Sequence, residues 1–451
     1  MDRRHFLKHA SALGGSVALA QLGVLAARAQ TVATDYKALV CLFLYGGNDA
    51  NNTIVPIDSA GYASYAAVRG RLALAQGTLL PLVEASGTAG FGLHPALGGT
   101  AGLQGLWESA QLAIVRNVGT LVQPLTKTQY LSPSTAKPAS LFSHIDQQHQ
   151  WQASLSVSPS DTGWGGRLAD QLAILNSGGS IPSMVSTAGN NLFVTGRATQ
   201  ALTIPTSGSF ALQGFDNSAG GIARLAALKS LLGVDRGTDL LDAAQDVMTG
   251  ALASSAVLNP ILTNTTSPVS SYFTGLTSSF AKQMLAVAKV IEARASLGVQ
   301  RQVFLVSLGS FDTHTDELNT HDTLFGDLGA GLKAFHDAMT GIGAAQQVTS
   351  FTLSDFSRTY LPNTNGGSDH GWGSHHFVAG GAVKGRAYYG TWPTLTVGGP
   401  DDEGSEGRWI PTTAVDQYAA TLASWFGADA SALASVLPNL ASFSPATLGF
   451  V

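Results

Sequence analysis

Residues 38–45, Ala38-Leu39-Val40-Cys41-Leu42-Phe43-Leu44-Tyr45, run without a polar break into Gly46-Gly47-Asn48-Asp49. A run this short and this continuously apolar does not alternate in the manner of a half-buried strand. It reads as a strand covered on both faces, the signature of a parallel sheet inside an α/β protein. Three further runs share the pattern, at 112–118, 303–308 and 348–353. Helical patterns lie between and after them. Thr320 reads as an N-cap ahead of a stripe formed by Leu324, Leu328, Leu332, Phe335 and Met339, and Tyr418, Leu422 and Phe426 recur at helical spacing after Thr413. Strands alternating with helices predict a three-layer α/β/α sandwich with a mostly parallel central sheet.

Segments 222–232, 238–253 and 273–296 carry helical periodicity with no strand-like run between them. They predict a helical insertion spanning about 220–300 in one large domain, 30–451. The first 29 residues read as an address. Arg3-Arg4 precedes His5-Phe6-Leu7-Lys8, a small-residue stretch follows, and Ala27-Arg28-Ala29 supplies a cleavage signature. The expectation is a twin-arginine signal peptide, a mature start near Gln30, a periplasmic or secreted location, and no stable membrane span in the mature chain.

Composition narrows the function. The chain has 451 residues, 45% hydrophobic and 12% charged, with a net charge of −5. A large core is assured, and intrinsic disorder is excluded. No basic run follows the first eight residues, so a nucleic-acid partner is excluded, because neutralising phosphates needs clustered Lys and Arg. The lone Cys41 cannot form an internal disulfide and is expected as a buried core thiol.

Ligands in open α/β sheets bind beyond the carboxyl ends of the strands. Three predicted strands end in acids there: Asp49 after the first, Asp312 in Gly309-Ser310-Phe311-Asp312-Thr313-His314, and Asp355 in Ser354-Asp355-Phe356-Ser357-Arg358. Of the eleven histidines, six fall between His314 and His376, most densely in Asp369-His370-Gly371-Trp372-Gly373-Ser374-His375-His376. Carboxylates mixed with neutral imidazoles suit a divalent metal. The site is expected to draw on Asp49, Asp312, His314, Asp355, Asp369, His370 and His376. Carboxylates crowded without a cation would repel, so bound metal, or Arg358 with protonated histidines, must compensate them. His336, on a helix beside Phe335, and His94, before Pro95, read as structural.

Two further residues carry catalytic readings. Ser143 with Asp146 fits a capping box, and the same geometry sets a hydroxyl at a helix N-terminus facing an anionic ester. Arg358 can fork onto a phosphate or sulfate oxygen pair or serve as a salt-bridge partner. Trp164, Trp372 and Trp392 fit a sugar site or core packing equally.

Taken together, the Arg3-Arg4 leader, Leu44-Tyr45-Gly46-Gly47-Asn48-Asp49, Leu141-Phe142-Ser143-His144, Gly163-Trp164-Gly165-Gly166-Arg167, Phe311-Asp312-Thr313-His314, Ser354-Asp355-Phe356-Ser357-Arg358-Thr359, Gly367-Ser368-Asp369-His370-Gly371-Trp372-Gly373 and Gly380-Gly381-Ala382-Val383-Lys384-Gly385 resemble the DUF1501 family. The resemblance covers nearly all of the mature chain and places it in the alkaline phosphatase-like superfamily. It implies a metal-dependent hydrolase of phosphate or sulfate esters with a Ser, Thr or modified Cys nucleophile. One or two divalent ions (Zn, Mn or Ca) are implied as cofactors. The implied substrate is an anionic ester, a modified sugar among the candidates. Asp49, Asp312 and Asp355 match the superfamily's strand-end ligands, with His314 or His321 as companion to Asp312 and His375 or His376 as the final histidine. The sequence departs at Asp355, where Phe356 stands in place of the usual histidine. Family members also accompany a second exported family, DUF1800, in neighbouring genes, which implies a partner protein. A non-catalytic binding or assembly role on the same fold is the alternative.

Overall fold

The apolar run that opens the chain's core forms the strand β1, Lys37–Leu44. The computed structural model describes residues 35–157, 159–212, 214–234 and 237–451. The expected signal peptide, 1–29, lies outside the described residues. The main sheet continues with β2 (Leu112–Gly119), β3 (Met184–Ser186), β4 (Leu202–Thr203), β5 (Arg301–Leu308), β6 (Val348–Ser354), β7 (Ser374–Gly380), β8 (Ala387–Tyr389) and β9 (Thr413–Ala414). Its spatial order is β8-β2-β7-β6-β1-β5-β3-β4, with β9 also on β2. β1 runs parallel to β5 and β6, β3 to β5, and β4 to β3. β8 and β9 run parallel to β2. Among the described strands of this sheet only β7 opposes its neighbours, β2 and β6.

The pleat explains why β1 reads as unbroken apolar sequence. Successive side chains point to opposite faces. Ala38, Val40, Leu42 and Leu44 enter one core, and Leu39, Cys41 and Phe43 enter the other. β5 divides in the same way, with Phe304 and Val306 opposite Val303 and Leu305. Helices Ser279–Glu292 and Glu317–Gly341 cover the first face through Met284, Val287, Phe325, Leu328 and Phe335. Helices Trp164–Gln171 and Val415–Phe426 cover the second through Trp164, Leu168, Tyr418 and Leu422. This is the expected three-layer sandwich. Each fully buried Leu or Phe contributes about 1.5–3 kcal/mol, and truncating the wholly buried Leu42 to Ala would cost about 2–5 kcal/mol. Cys41 is buried and free of any disulfide.

Two local features differ from the sequence reading, and both bear on the site. The helix expected to start at Thr320 starts at Glu317, after Asp316 in left-handed backbone at φ +48° with no side-chain cap. Its first N–H is satisfied by the chain instead: Glu317 N donates to Gly366 O at 3.2 Å. The histidine-rich stretch is ordered as strands. Ser368–His370 pairs antiparallel with Arg358–Pro362, and β7 begins at Ser374.

Of the helices between β4 and β5, Ala219–Leu232 and Asp239–Thr263 keep most side chains exposed, whereas Ser279–Glu292 packs in the first core. Among the described residues no helix is long and apolar enough to cross a membrane.

Candidate metal centre

The loops leaving β1, β5 and β6 meet at a turn that only glycine permits. Gly46 sits at φ +112°, and a Cβ on it would fall 2.4 Å from the backbone N of Asp312. This approach brings the acid after β5 beside the acid after β6. Asp355 is fully buried, and three donors hold its carboxylate: Gly46 N on Oδ1 at 3.1 Å, and Gln148 Nε2 and His144 Nδ1 on Oδ2 at 2.7 Å each. His144 and Gln148 open helix His144–Ala153, and their i,i+4 spacing turns both toward Asp355.

Three imidazoles surround Asp312. Each is anchored through Nδ1 by an acceptor: His144 by Asp355, His314 by Asp369 Oδ1 at 2.8 Å, and His370 by the carbonyl of Phe142 at 2.7 Å. A carbonyl or carboxylate can only accept, so each Nδ1 carries a proton, and in the neutral ring Nε2 is the nitrogen free to bind a metal. The Nε2 atoms lie 3.4, 3.0 and 3.3 Å from Asp312 oxygens for His144, His314 and His370. Those of His314 and His370 are 3.0 Å apart. Ligand atoms of His144, Asp312 and His370 all lie within 4.8 Å of one another, and His144 Nε2 has no hydrogen-bond partner among the described residues. Nε2 atoms this close to a carboxylate and to each other need protons or a cation between them. The donor set fits a divalent metal, with the outward Nδ1–H bonds fixing tautomer and ring orientation. Imidazole-rich coordination suits zinc better than manganese or calcium, which favour oxygen ligands.

Electrostatics sharpen the picture. The hydrogen bond to Asp355 raises the His144 pKa against the opposing effect of burial. Burial lowers that of His370. Burial also pushes the Asp312 and Asp369 carboxyls up, but Arg358 and His314 respectively outweigh it and hold each below the usual range. Phe356 follows Asp355 directly. Its ring stacks on His370 at 4.7 Å and lies 4.8 Å from His144, so it walls the imidazoles on that side.

Behind this outer group lies an inner one built on Asp49. Asp49 caps the short helix Ala50–Thr53 and pairs with Arg69, the last residue of helix Ser59–Arg69. Arg69 also reaches Glu317 Oε1 at 3.2 Å, and all three side chains are fully buried. Thr313 Oγ1 lies 3.3 Å from Glu317 Oε2 and 3.2 Å from His321 Nε2. Burial and the neighbouring Asp49 push the Glu317 carboxyl up to about 8, which keeps it protonated at neutral pH. Burial also pushes Asp49 up, but Arg69 holds it below the usual range. Burial drives His321 down to about 3, so its ring is neutral.

The predicted residues therefore separate. Asp312, His314, Asp355, Asp369 and His370 come together, and Asp49 sits in the inner group against Arg69. His376 lies on β7 with Nδ1 3.2 Å from Thr352 Oγ1 and its ring against Trp151 and Tyr418, among core residues. His375 accepts from Asn117 N and packs on Trp392. Arg358 is fully buried, and its nitrogens are committed to Asp312, Ser368 and Gly46 O. Ser143 caps helix His144–Ala153 and donates to Asp146 Oδ2 at 2.6 Å. Its chain neighbours Phe142 and His144 are both bound into the cluster. His94 caps a short turn through Ala96 N, and His336 meets Ser350 Oγ at 3.1 Å.

Four participants escaped the sequence reading: His144, Gln148, Arg69 and Glu317. The i,i+4 pair His144 and Gln148 was the available signal for the first two. Arg69 ends a helix, where a basic residue ordinarily answers the helix dipole, and nothing local marks its buried role.

An α/β sandwich with imidazoles and carboxylates gathered beyond the carboxyl ends of parallel strands defines the class. The chain belongs to the DUF1501 family, described as a protein of unknown function, whose model matches residues 36–404. No curated protein matches it. Among solved structures, it is similar to the lipoteichoic acid synthase LtaP from Listeria monocytogenes at 9% identity, covering 88% of this chain and 74% of that one, with a TM-score of 0.33. Wild-type alkaline phosphatase PafA matches at 12% identity over 72% and 64% of the two chains, TM-score 0.30. The C-terminal periplasmic domain of EcEptC from Escherichia coli, in complex with Zn, matches at 11% identity over 78% and 75%, TM-score 0.28. Likeness at this level carries no argument about the reaction.

Proposed function

We propose that the chain is an exported, metal-dependent hydrolase of phosphate or sulfate esters. The observation that carries this reading is the convergence of three Nε2 atoms on Asp312, each ring anchored through Nδ1 from behind. Asp312, His144 and His370 would hold the ion, with His314 adjoining. Bound there, a divalent metal supplies Lewis-acid polarisation of an ester oxygen and offsets its negative charge. Ser143 is the attacking group. Its hydroxyl proton passes to Asp146, Oγ bonds to the phosphorus or sulfur, and the bond to the leaving alcohol breaks as that alcohol takes up the proton. Water then cleaves the seryl ester, its hydroxyl bonding to the phosphorus or sulfur while its proton passes by way of Asp146 to Oγ. The N-terminal turn of helix His144–Ala153 favours the anionic group. Arg358 is a positioning residue that orients Asp312. Export rests on Arg3-Arg4 and the Ala27-Arg28-Ala29 signature.

Turnover of 4-nitrophenyl phosphate and 4-nitrophenyl sulfate tests this directly. Activity toward one ester should vanish on chelation and return with zinc or manganese; chelation without effect would end the metal-dependent reading. A binding or assembly role, with a DUF1800 protein as partner, is the second reading. It is favoured by the burial of Arg358, which leaves the cluster's own guanidinium without a free fork for an anion. Metal retention without turnover of either ester would select it.

A further inference from the structure

We infer that Arg69 is the resident cation of the inner carboxylate group, so the chain takes one divalent ion, at the outer group, and not two. The inference rests on the metal-dependent reading above and adds its stoichiometry and location. Among the described residues two groups of side chains have ligand atoms close enough to share an ion: His144, Asp312 and His370, and Asp49, Glu317 and His321. They differ in what already fills them.

Arg69 has five N–H bonds and five acceptors. Nε donates to Asn52 Oδ1 at 3.1 Å, Nη1 to the carbonyls of Thr359 and Tyr360 at 3.0 and 3.1 Å, and Nη2 to Asp49 and Glu317. The guanidinium is therefore satisfied where it stands, and no rotation toward solvent would improve its bonding. A divalent ion among Asp49, Glu317 and His321 would place two further positive charges beside it in the buried interior, where like charges are weakly screened. Access differs as well. Asp49, Arg69 and Glu317 have no exposed surface, and His321 is 1% exposed. In the outer group the side chains of Asp312 and His314 are 46% and 42% exposed, so an ion and its water can enter. The third strand-end acid offers no second outer position, because Asp355 already accepts from Gly46, His144 and Gln148.

The two groups are nonetheless joined. Ser368 Oγ donates to Glu317 and accepts from Arg358 Nε at 3.4 Å, and Arg358 Nη1 holds Asp312 Oδ1 at 2.9 Å. Arg69 thus anchors, through Glu317 and Ser368, the guanidinium that orients the outer carboxylate.

Calorimetric titration of the full chain with Zn²⁺, with metal content measured after dialysis, gives the stoichiometry. Anomalous diffraction at the zinc edge gives the position. One equivalent is expected, with its peak beside Asp312 and the Nε2 atoms of His144 and His370. His370→Asn should weaken binding at least about tenfold, whereas Asp49→Asn should keep the single equivalent. Two equivalents in the native chain, or a peak among Asp49, Glu317 and His321, would overturn the inference while leaving the metal-dependent reading in place. No zinc bound at all would overturn that reading and this inference with it. If Asp49→Asn fails to fold, the native chain's stoichiometry and anomalous peak decide the question without it.

Discussion

His144 Nδ1 lies 2.7 Å from the buried Oδ2 of Asp355, and this bond turns the opposite ring nitrogen toward Asp312. The acid after β6 therefore acts from behind the imidazole. Asp355→Asn should lower zinc affinity by about 10–100-fold while His370 and Asp312 stay in place. Titration calorimetry reads this, and unchanged affinity would show that the ring is oriented by something else.

Ser143 holds two roles that one substitution can separate. Asn is as good an N-cap as Ser, whereas Ala costs about 1 kcal/mol. Ser143→Asn should keep the thermal midpoint near that of the native chain and still lower ester turnover by about 10³-fold or more. Retained turnover would assign Ser143 to capping alone.

The Asp49–Arg69 pair is fully buried, so removing one partner strands the other. Arg69→Met should destabilise the fold by about 3–5 kcal/mol. The double change Asp49→Asn with Arg69→Met should cost less than the two single changes added, with a coupling of about 0.5–3 kcal/mol. Urea unfolding of the four proteins checks it, and simple additivity would mean that the pair does not act as a unit.

His336 carries a pH prediction away from the site. Burial drives its pKa from 6.5 to about 3. The unfolded chain therefore takes up a proton below pH 6.5 that the folded chain refuses, and stability falls as pH drops from 6.5 toward 3. At pH 5 the loss from this residue amounts to about 2 kcal/mol. His336→Gln should narrow the difference in unfolding free energy between pH 7 and pH 5 by that amount, and an unaltered difference would show that His336 titrates alike in both states.

What the sequence made legible follows from what is local. β1, β2, β5 and β6 were found within two residues at each end, because strands buried on both faces read as continuous apolar runs. β7 was missed as a strand, since Ser374-His375-His376 reads as polar, although the sheet buries both rings. The same reading overstated His376 as a metal ligand candidate: Trp151 and Tyr418 flank it in the core. Asp312, Asp355, Asp369 and His370 were legible as strand-end and loop chemistry. Arg69 and Glu317 were not, because a contact between residues 248 positions apart leaves no periodic trace. The helix start at Glu317 has no local mark for the same reason, since a loop carbonyl, Gly366 O, accepts its first N–H in place of a cap.

X-ray absorption at the metal edge of the zinc- or manganese-loaded chain tests the central claim most directly. The account predicts scattering from at least two imidazoles together with a carboxylate, reduced by one imidazole in His144→Asn. A shell of oxygen ligands alone, or one unchanged by His144→Asn, would contradict it.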